Sequence, residues 1–138
     1  MIRIKRLMSQ VIGVFVVFMF LLPASGISQV RGITKDKVKV GAYQPLTGIL
    51  AAEAKQVADG VRAYFSHIND GGGVNGRKIE YLVENDNYDP QQAMAAAKKL
   101  VERDQIFAMV APLGTVTGMA VLPYLIKQNV PLVTTLSG

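Results

Sequence analysis

The chain has 138 residues, half of them apolar, and carries a formal net charge of +5. That length buries one core and leaves little room for a second domain. The absence of cysteine excludes disulfide staples, thiolate metal sites, cysteine nucleophiles and a lipid-modified cysteine, and basic residues scattered among Asp and Glu, with no basic stripe interleaved with aromatics, exclude nucleic acid as an expected partner.

At the N-terminus, Arg3, Lys5 and Arg6 precede an apolar run over residues 11–22, followed by Pro23 and the small residues Ala24, Ser25 and Gly26. This is the layout of a secretory signal peptide over residues 1–28, with cleavage after Gly26 or after Ser28. The apolar run of 12 residues is shorter than the roughly 20 that span a bilayer; an uncleaved N-terminal anchor is the competing reading. Cleavage leaves 12 basic against 10 acidic residues. The mature chain, residues 29–138, is therefore expected to be nearly neutral, periplasmic and without stable membrane insertion.

Val38, Val40 and Ala42 alternate with Lys39 and Gly41, which predicts a strand over residues 38–43 ahead of the breaker-rich Gln44-Pro45-Leu46-Thr47-Gly48. Over residues 51–69, Ala54, Val57, Ala58, Val61, Tyr64, Phe65 and Ile68 recur every three or four positions and predict an amphipathic helix. The run Gly71-Gly72-Gly73-Val74-Asn75-Gly76 reads as a connection. A second strand follows over residues 78–84. Asp89 as N-cap and Pro90 at the first helical position then open a helix that runs to about Asp104. A strand over residues 106–111, a helix over 117–128 and a strand over 131–135 complete the pattern.

Four strands alternating with three helices predict an α/β fold: an open parallel sheet with right-handed crossovers and helices on both faces. In such sheets ligands bind beyond the strand carboxyl ends. The loops to watch are therefore residues 44–50, 85–89, 112–116 and 136–138. The third of these enters a helix with Gly114, Thr115 and Thr117, placing two hydroxyls and unpaired amides at a positive helix terminus where a carboxylate would fit. The competing reading is that Thr115 only caps the helix. Ser137 and Gly138 offer a hydroxyl and an amide after the fourth strand.

Other patterns carry no chemistry. Gly71, Gly73 and Gly76 match G-x-G-x-x-G, but they follow a helix and open a strand, the reverse of a dinucleotide site. Glu84, Asp86 and Asp89 lack calcium-loop spacing and read as a solvated turn with an N-cap. His67, the single histidine, has no cysteine or second histidine with which to build a metal or catalytic site and reads as a surface residue. No nucleophile elbow or phosphate-cradling loop occurs. The chain is expected to be no enzyme and to need no cofactor and no metal.

The segments Val38-Lys39-Val40-Gly41-Ala42 with Pro45-Leu46-Thr47-Gly48, Gly72-Gly73-Val74-Asn75-Gly76-Arg77, Asn85-Asp86-Asn87-Tyr88-Asp89-Pro90 and Leu113-Gly114-Thr115 with Ala120-Val121-Leu122-Pro123 resemble, in order and spacing, the substrate-binding proteins of branched-chain amino acid ABC transporters. The resemblance covers residues 36–138 and implies the type I periplasmic binding protein fold. It implies a small amino-acid-like ligand, amide or carboxylate, and a permease as partner. It also implies that Leu113, Gly114 and Thr115, with Ser137 and Gly138, hold the ligand's carboxylate, and that the loop containing Thr47 and Glu53 closes the side. Where some relatives carry an aromatic in that first loop, this chain has Ala52 and Glu53. The second lobe of such proteins would lie beyond Gly138, so residues 29–138 are expected to be an incomplete N-terminal lobe with weak or absent affinity and a tendency to associate. The alternative function is the sensing lobe of a receptor or amide-type regulator; an α/β enzyme would need catalytic groups from elsewhere.

Overall fold

The computed structural model describes residues 30–136; the expected signal peptide, Ser137 and Gly138 lie outside the described residues. The alternating first segment forms β1 (Lys37–Gln44), followed by α1 (Ala51–Asp70), β2 (Lys78–Asn85), α2 (Pro90–Lys98), a π-helical turn (Lys99–Arg103), β3 (Ala108–Val110), α3 (Thr115–Lys127) and β4 (Leu132–Val133). The strands form one parallel sheet in the order β2-β1-β3-β4. β1 and β2 run in register from Lys37 opposite Lys78 to Gln44 opposite Asn85.

From β1 the chain crosses to one side, and from β2 it returns past β1 to the other. With right-handed crossovers, α1 must cover one face while α2 and α3 cover the other. Neighbouring side chains of β2 show the division. Tyr81 meets Phe65 of α1 edge-on at a centroid distance of 5.7 Å, whereas Leu82 packs against the main core with Tyr43, Leu100, Ile106, Met109, Val121 and Leu125. Each large apolar side chain so buried contributes roughly 1.5–3 kcal/mol, and Ala93, Ala96 and Ala97, all buried, let α2 lie close to the sheet. α1 buries only Ala54 and Ala58. None of the helices described is long and apolar enough to cross a membrane.

The start of α2 follows its sequence signals: Pro90 stands at the first position, and Asp89 accepts the amides of Gln91 at 2.9 Å and Gln92 at 2.8 Å. Its end differs. The expected regular helix to Asp104 widens into a π turn closed by the Asp104 amide on the Lys99 carbonyl at 3.0 Å. The extra residue lets Leu100 and Val101 both face the core, while Lys99 pairs with Glu84. β3 and β4 are shorter than expected. Phe107 donates to the Lys39 carbonyl at 2.7 Å and Ile106 back to Leu100, so the ladder becomes regular only at Ala108; Ala111 and Thr134, at φ 53° and 52°, leave extended geometry at the far ends.

Candidate functional site

Strand order reverses at β1, whose two neighbours are β2 and β3. At such a point the loops leaving adjacent strands diverge to opposite faces and open a crevice. A cavity of about 280 Å³ lies there, lined by Leu50 and Glu53 after β1, Tyr88 after β2, Leu113, Gly114 and Thr115 after β3, and Leu136 after β4. Four of the expected residues, Glu53, Leu113, Gly114 and Thr115, thus meet in one hollow. Leu50, Tyr88 and Leu136 were not singled out from the sequence. A hollow of about 310 Å³ at the opposite end of the sheet is lined by Arg31, Gly32, Thr34 and Lys39. Its Arg31 and Lys39 already donate to the carbonyls of Gln128 and Asp104, and no strand carboxyl end faces it.

Gly114 is the N-cap of α3, with φ 125° and ψ 128°, and no side chain among the described residues caps the helix. The capping role considered for Thr115 is therefore not realised. Thr115 is the first helical residue, exposed, and its hydroxyl makes no hydrogen bond among the described residues. The first-turn amides have no carbonyl within the helix to bond, so this terminus presents donors to an anion. Two expectations change. The Gly114 amide is occupied by the Leu136 carbonyl at 2.9 Å, because Leu113 and Leu136 continue the parallel pairing beyond β3 and β4. Thr117 is buried and its hydroxyl donates back to the Gly114 carbonyl at 3.2 Å, so it steadies the first turn and faces away from the rim.

Thr47 stands on the same rim without lining the cavity. Its hydroxyl donates to Asn87 Oδ1 and accepts from Asn85 Nδ2, both at 2.9 Å, which ties the first loop to the second. Leu136 brings the chain to the rim, but Ser137 and Gly138 lie outside the described residues.

Beneath the rim, Asp86 is fully buried, where a solvated turn was expected. Its Oδ1 accepts the Tyr88 amide at 3.0 Å, and its Oδ2 has no partner among the described residues. Burial pushes this carboxyl above its ordinary range; the Tyr88 amide pulls it partly back, and the charge of Asp89 adds to the rise. The same burial, reinforced by Asp86, pushes the Tyr43 phenol up to about 12. A raised carboxyl binds its proton more tightly when folded. Its favourable contribution is complete below the unfolded pKa and is lost as pH rises through the folded value, leaving a cost at neutrality. Asp86→Asn keeps the oxygen that accepts the Tyr88 amide. It is therefore expected to stabilise the fold at neutral pH by about 1 kcal/mol, a gain that vanishes once both forms are neutral, near pH 3. Denaturant titrations at the two pH values check both halves.

A family model described as periplasmic binding protein matches residues 37–138. The chain belongs to the periplasmic binding protein family. Its parallel sheet is the type I form of that fold, shared with solved relatives. One curated relative of this periplasmic binding protein is the Leu/Ile/Val-binding protein BraC3 of Rhizobium johnstonii, 33% identical over 97 residues that make up 70% of this chain and 26% of the relative. A fatty acid ABC transporter substrate-binding protein from Thermomonospora curvata matches with TM-score 0.69 and 28% identity over 80% of this chain and 28% of that one. A solute binding protein of an ABC transporter from Rhodopseudomonas palustris, solved with 3,4-dihydroxybenzoic acid, matches with TM-score 0.65 and 27% identity over 75% of this chain and 28% of that one. This periplasmic binding protein chain thus spans about a quarter of the length of the curated relatives it matches.

Proposed function

We propose that residues 29–138 form the first lobe of an exported solute-binding protein that delivers a small carboxylate, of amino-acid type, to an ABC transporter permease, after removal of residues 1–28 as a signal peptide. A second lobe closing over the rim completes the site, and ligand binding favours the closed form. The observation that carries this reading is the single cavity to which all four strand-end loops contribute, with the uncapped start of α3 on its wall.

Two further points support it. The ligands named for the three relatives, branched-chain amino acids, a fatty acid and a dihydroxybenzoic acid, share a carboxyl group attached to an apolar body. The cavity lining offers both kinds of contact, Thr115 at the start of α3 together with the apolar Leu50, Leu113 and Leu136 and the ring of Tyr88. Glu53, in the first turn of α1, adds a carboxylate to the lining. A carboxylate beside a helix start and an acid able to receive an ammonium suit a zwitterion better than a simple acid. The loop resemblance and the cavity thus converge on amino acids.

The test is calorimetric titration of the protein, produced with all the sequence its gene encodes, against leucine and 3,4-dihydroxybenzoate. Thr115→Ala removes a hydroxyl that has no partner among the described residues and is expected to weaken the bound solute by about tenfold or more, the worth of one hydrogen bond to a charged group. An affinity equal to the unaltered protein's would remove Thr115 from the contact.

A further inference from the structure

We infer that Tyr88 is the specificity-determining residue of this lobe: its ring grips the apolar body of the solute, and Asp86 is the positioning residue that holds it there. The inference rests on the carboxylate reading above and goes beyond it, because it assigns the part of the solute that the hydroxyl and amides of α3 do not touch.

Three observations converge. Tyr88 lines the cavity beside the α3 start and is 39% exposed, so the ring neither sinks into the core nor leaves the rim. The ring lies against Gly114 so closely that a Cβ there would come 2.7 Å from Tyr88 Cε2, which means the glycine at the carboxylate wall and the aromatic beside it occupy space as a pair. Finally, the backbone is held in a form an aromatic residue avoids: Asn87 and Tyr88 both have positive φ, 49° and 57°. Such a conformation is strained for a non-glycine residue and persists only where surrounding contacts impose it. Those contacts are visible. Asp86 Oδ1 takes the Tyr88 amide, Asn85 Oδ1 takes the Asn87 amide at 3.1 Å, and the Asn87 side chain is tied to Thr47.

The chain thus uses a buried acid, one oxygen of which has no partner among the described residues, and two left-handed residues in succession to place one exposed ring. Nothing in the packing of the core requires that ring, since Tyr88 is not part of the main cluster. The aromatic wall that the first loop lacks at Ala52 and Glu53 is supplied by the second loop.

Tyr88→Asn separates the ring from the turn, because asparagine tolerates the left-handed conformation better than tyrosine does. With the complete protein, the melting temperature is expected to hold or rise, while affinity for the preferred solute of the leucine and 3,4-dihydroxybenzoate pair falls about tenfold and the preference between them narrows, as loss of an aromatic contact implies. Asp86→Asn, which keeps the acceptor, is expected to bind as the unaltered protein does. Asp86→Ala is expected to lose affinity in the Tyr88 protein and to change nothing further in Tyr88→Asn. Unchanged affinity and preference in Tyr88→Asn, alongside a weakened Thr115→Ala, would overturn this inference and leave the carboxylate reading standing. Binding of neither solute by the unaltered protein overturns both.

Discussion

Gly114→Ala is expected to destabilise the fold by about 2–4 kcal/mol and to abolish solute binding, the broader of the two largest effects. The position is closed to every other residue for two reasons that add. Its φ of 125° lies where an L side chain is strained whatever the surrounding space. Any Cβ would also come 2.5 Å from Thr117 Oγ1, and Thr117 is fully buried with its hydroxyl bonded into the same turn, so it has nowhere to go. The Tyr88 ring, half on the surface, would be displaced instead, and with it the wall of the cavity. The control lies one turn along the same helix. Gly118 has ordinary helical backbone, and a Cβ there first meets Tyr43 Oη at 4.0 Å, so Gly118→Ala is expected to gain about 0.5–1 kcal/mol from reduced backbone freedom in the unfolded chain. Opposite signs at two glycines four residues apart, measured by denaturant midpoint, would establish that the α3 entry geometry sets the effect. A Gly114→Ala protein as stable as the unaltered one would contradict it.

What the sequence made legible, and what it hid, follows from how local each determinant is. Asp89 and Pro90 announce a helix start because cap and first residue act within one turn. The alternation in β1, the glycine-rich connection and the sheet type are similarly local or follow from strand-helix alternation. The convergence of four loops was readable as well, since it is a consequence of topology alone. Side-chain direction within those loops was not. Thr117 was expected on the rim because the helix was expected to begin there; it begins at Thr115, and at roughly 100° per residue a two-residue shift turns the hydroxyl inward. The Gly114 amide is engaged through a partner 22 positions along the chain, which no local pattern encodes. Asp86 is buried because its amide pairs with the Gln44 carbonyl at 3.0 Å and draws the turn under the sheet end. Tyr88 left one usable signal: a bulky aromatic between Asn87 and a helix cap, in a loop at a strand carboxyl end, has no packing duty there and so points to recognition.

Gly73→Ala is expected to destabilise by about 3 kcal/mol or more while leaving the affinity of the folded molecules unchanged, which sets it apart from Gly114→Ala. At this glycine the obstacle is backbone. With φ at 81°, a Cβ would overlap the Arg77 carbonyl oxygen and lie 2.6 Å from its carbon and 3.1 Å from the Lys78 nitrogen. That carbonyl already accepts the Val74 amide at 2.8 Å, and Lys78 donates to Asp36 at 2.8 Å at the point where β2 joins β1. Asn69, at the end of α1, brackets Ile79 through both its side-chain atoms, at 2.9 and 2.7 Å. Making room for a methyl group therefore means breaking the base of β2 away from either β1 or α1. Gly72 isolates the conformational part, since its φ is 104° but nothing lies within 4 Å of a Cβ; Gly72→Ala is expected to cost only about 1 kcal/mol. The binding rim stands at the other end of β2, eight residues away or about 25 Å, and shares no loop with this turn. The Gly-x-Gly-x-x-Gly spacing is thus a structural clasp between helix and strand, and a Gly73→Ala protein that lost solute affinity in proportion to Gly114→Ala would show that the two ends of the sheet are coupled after all.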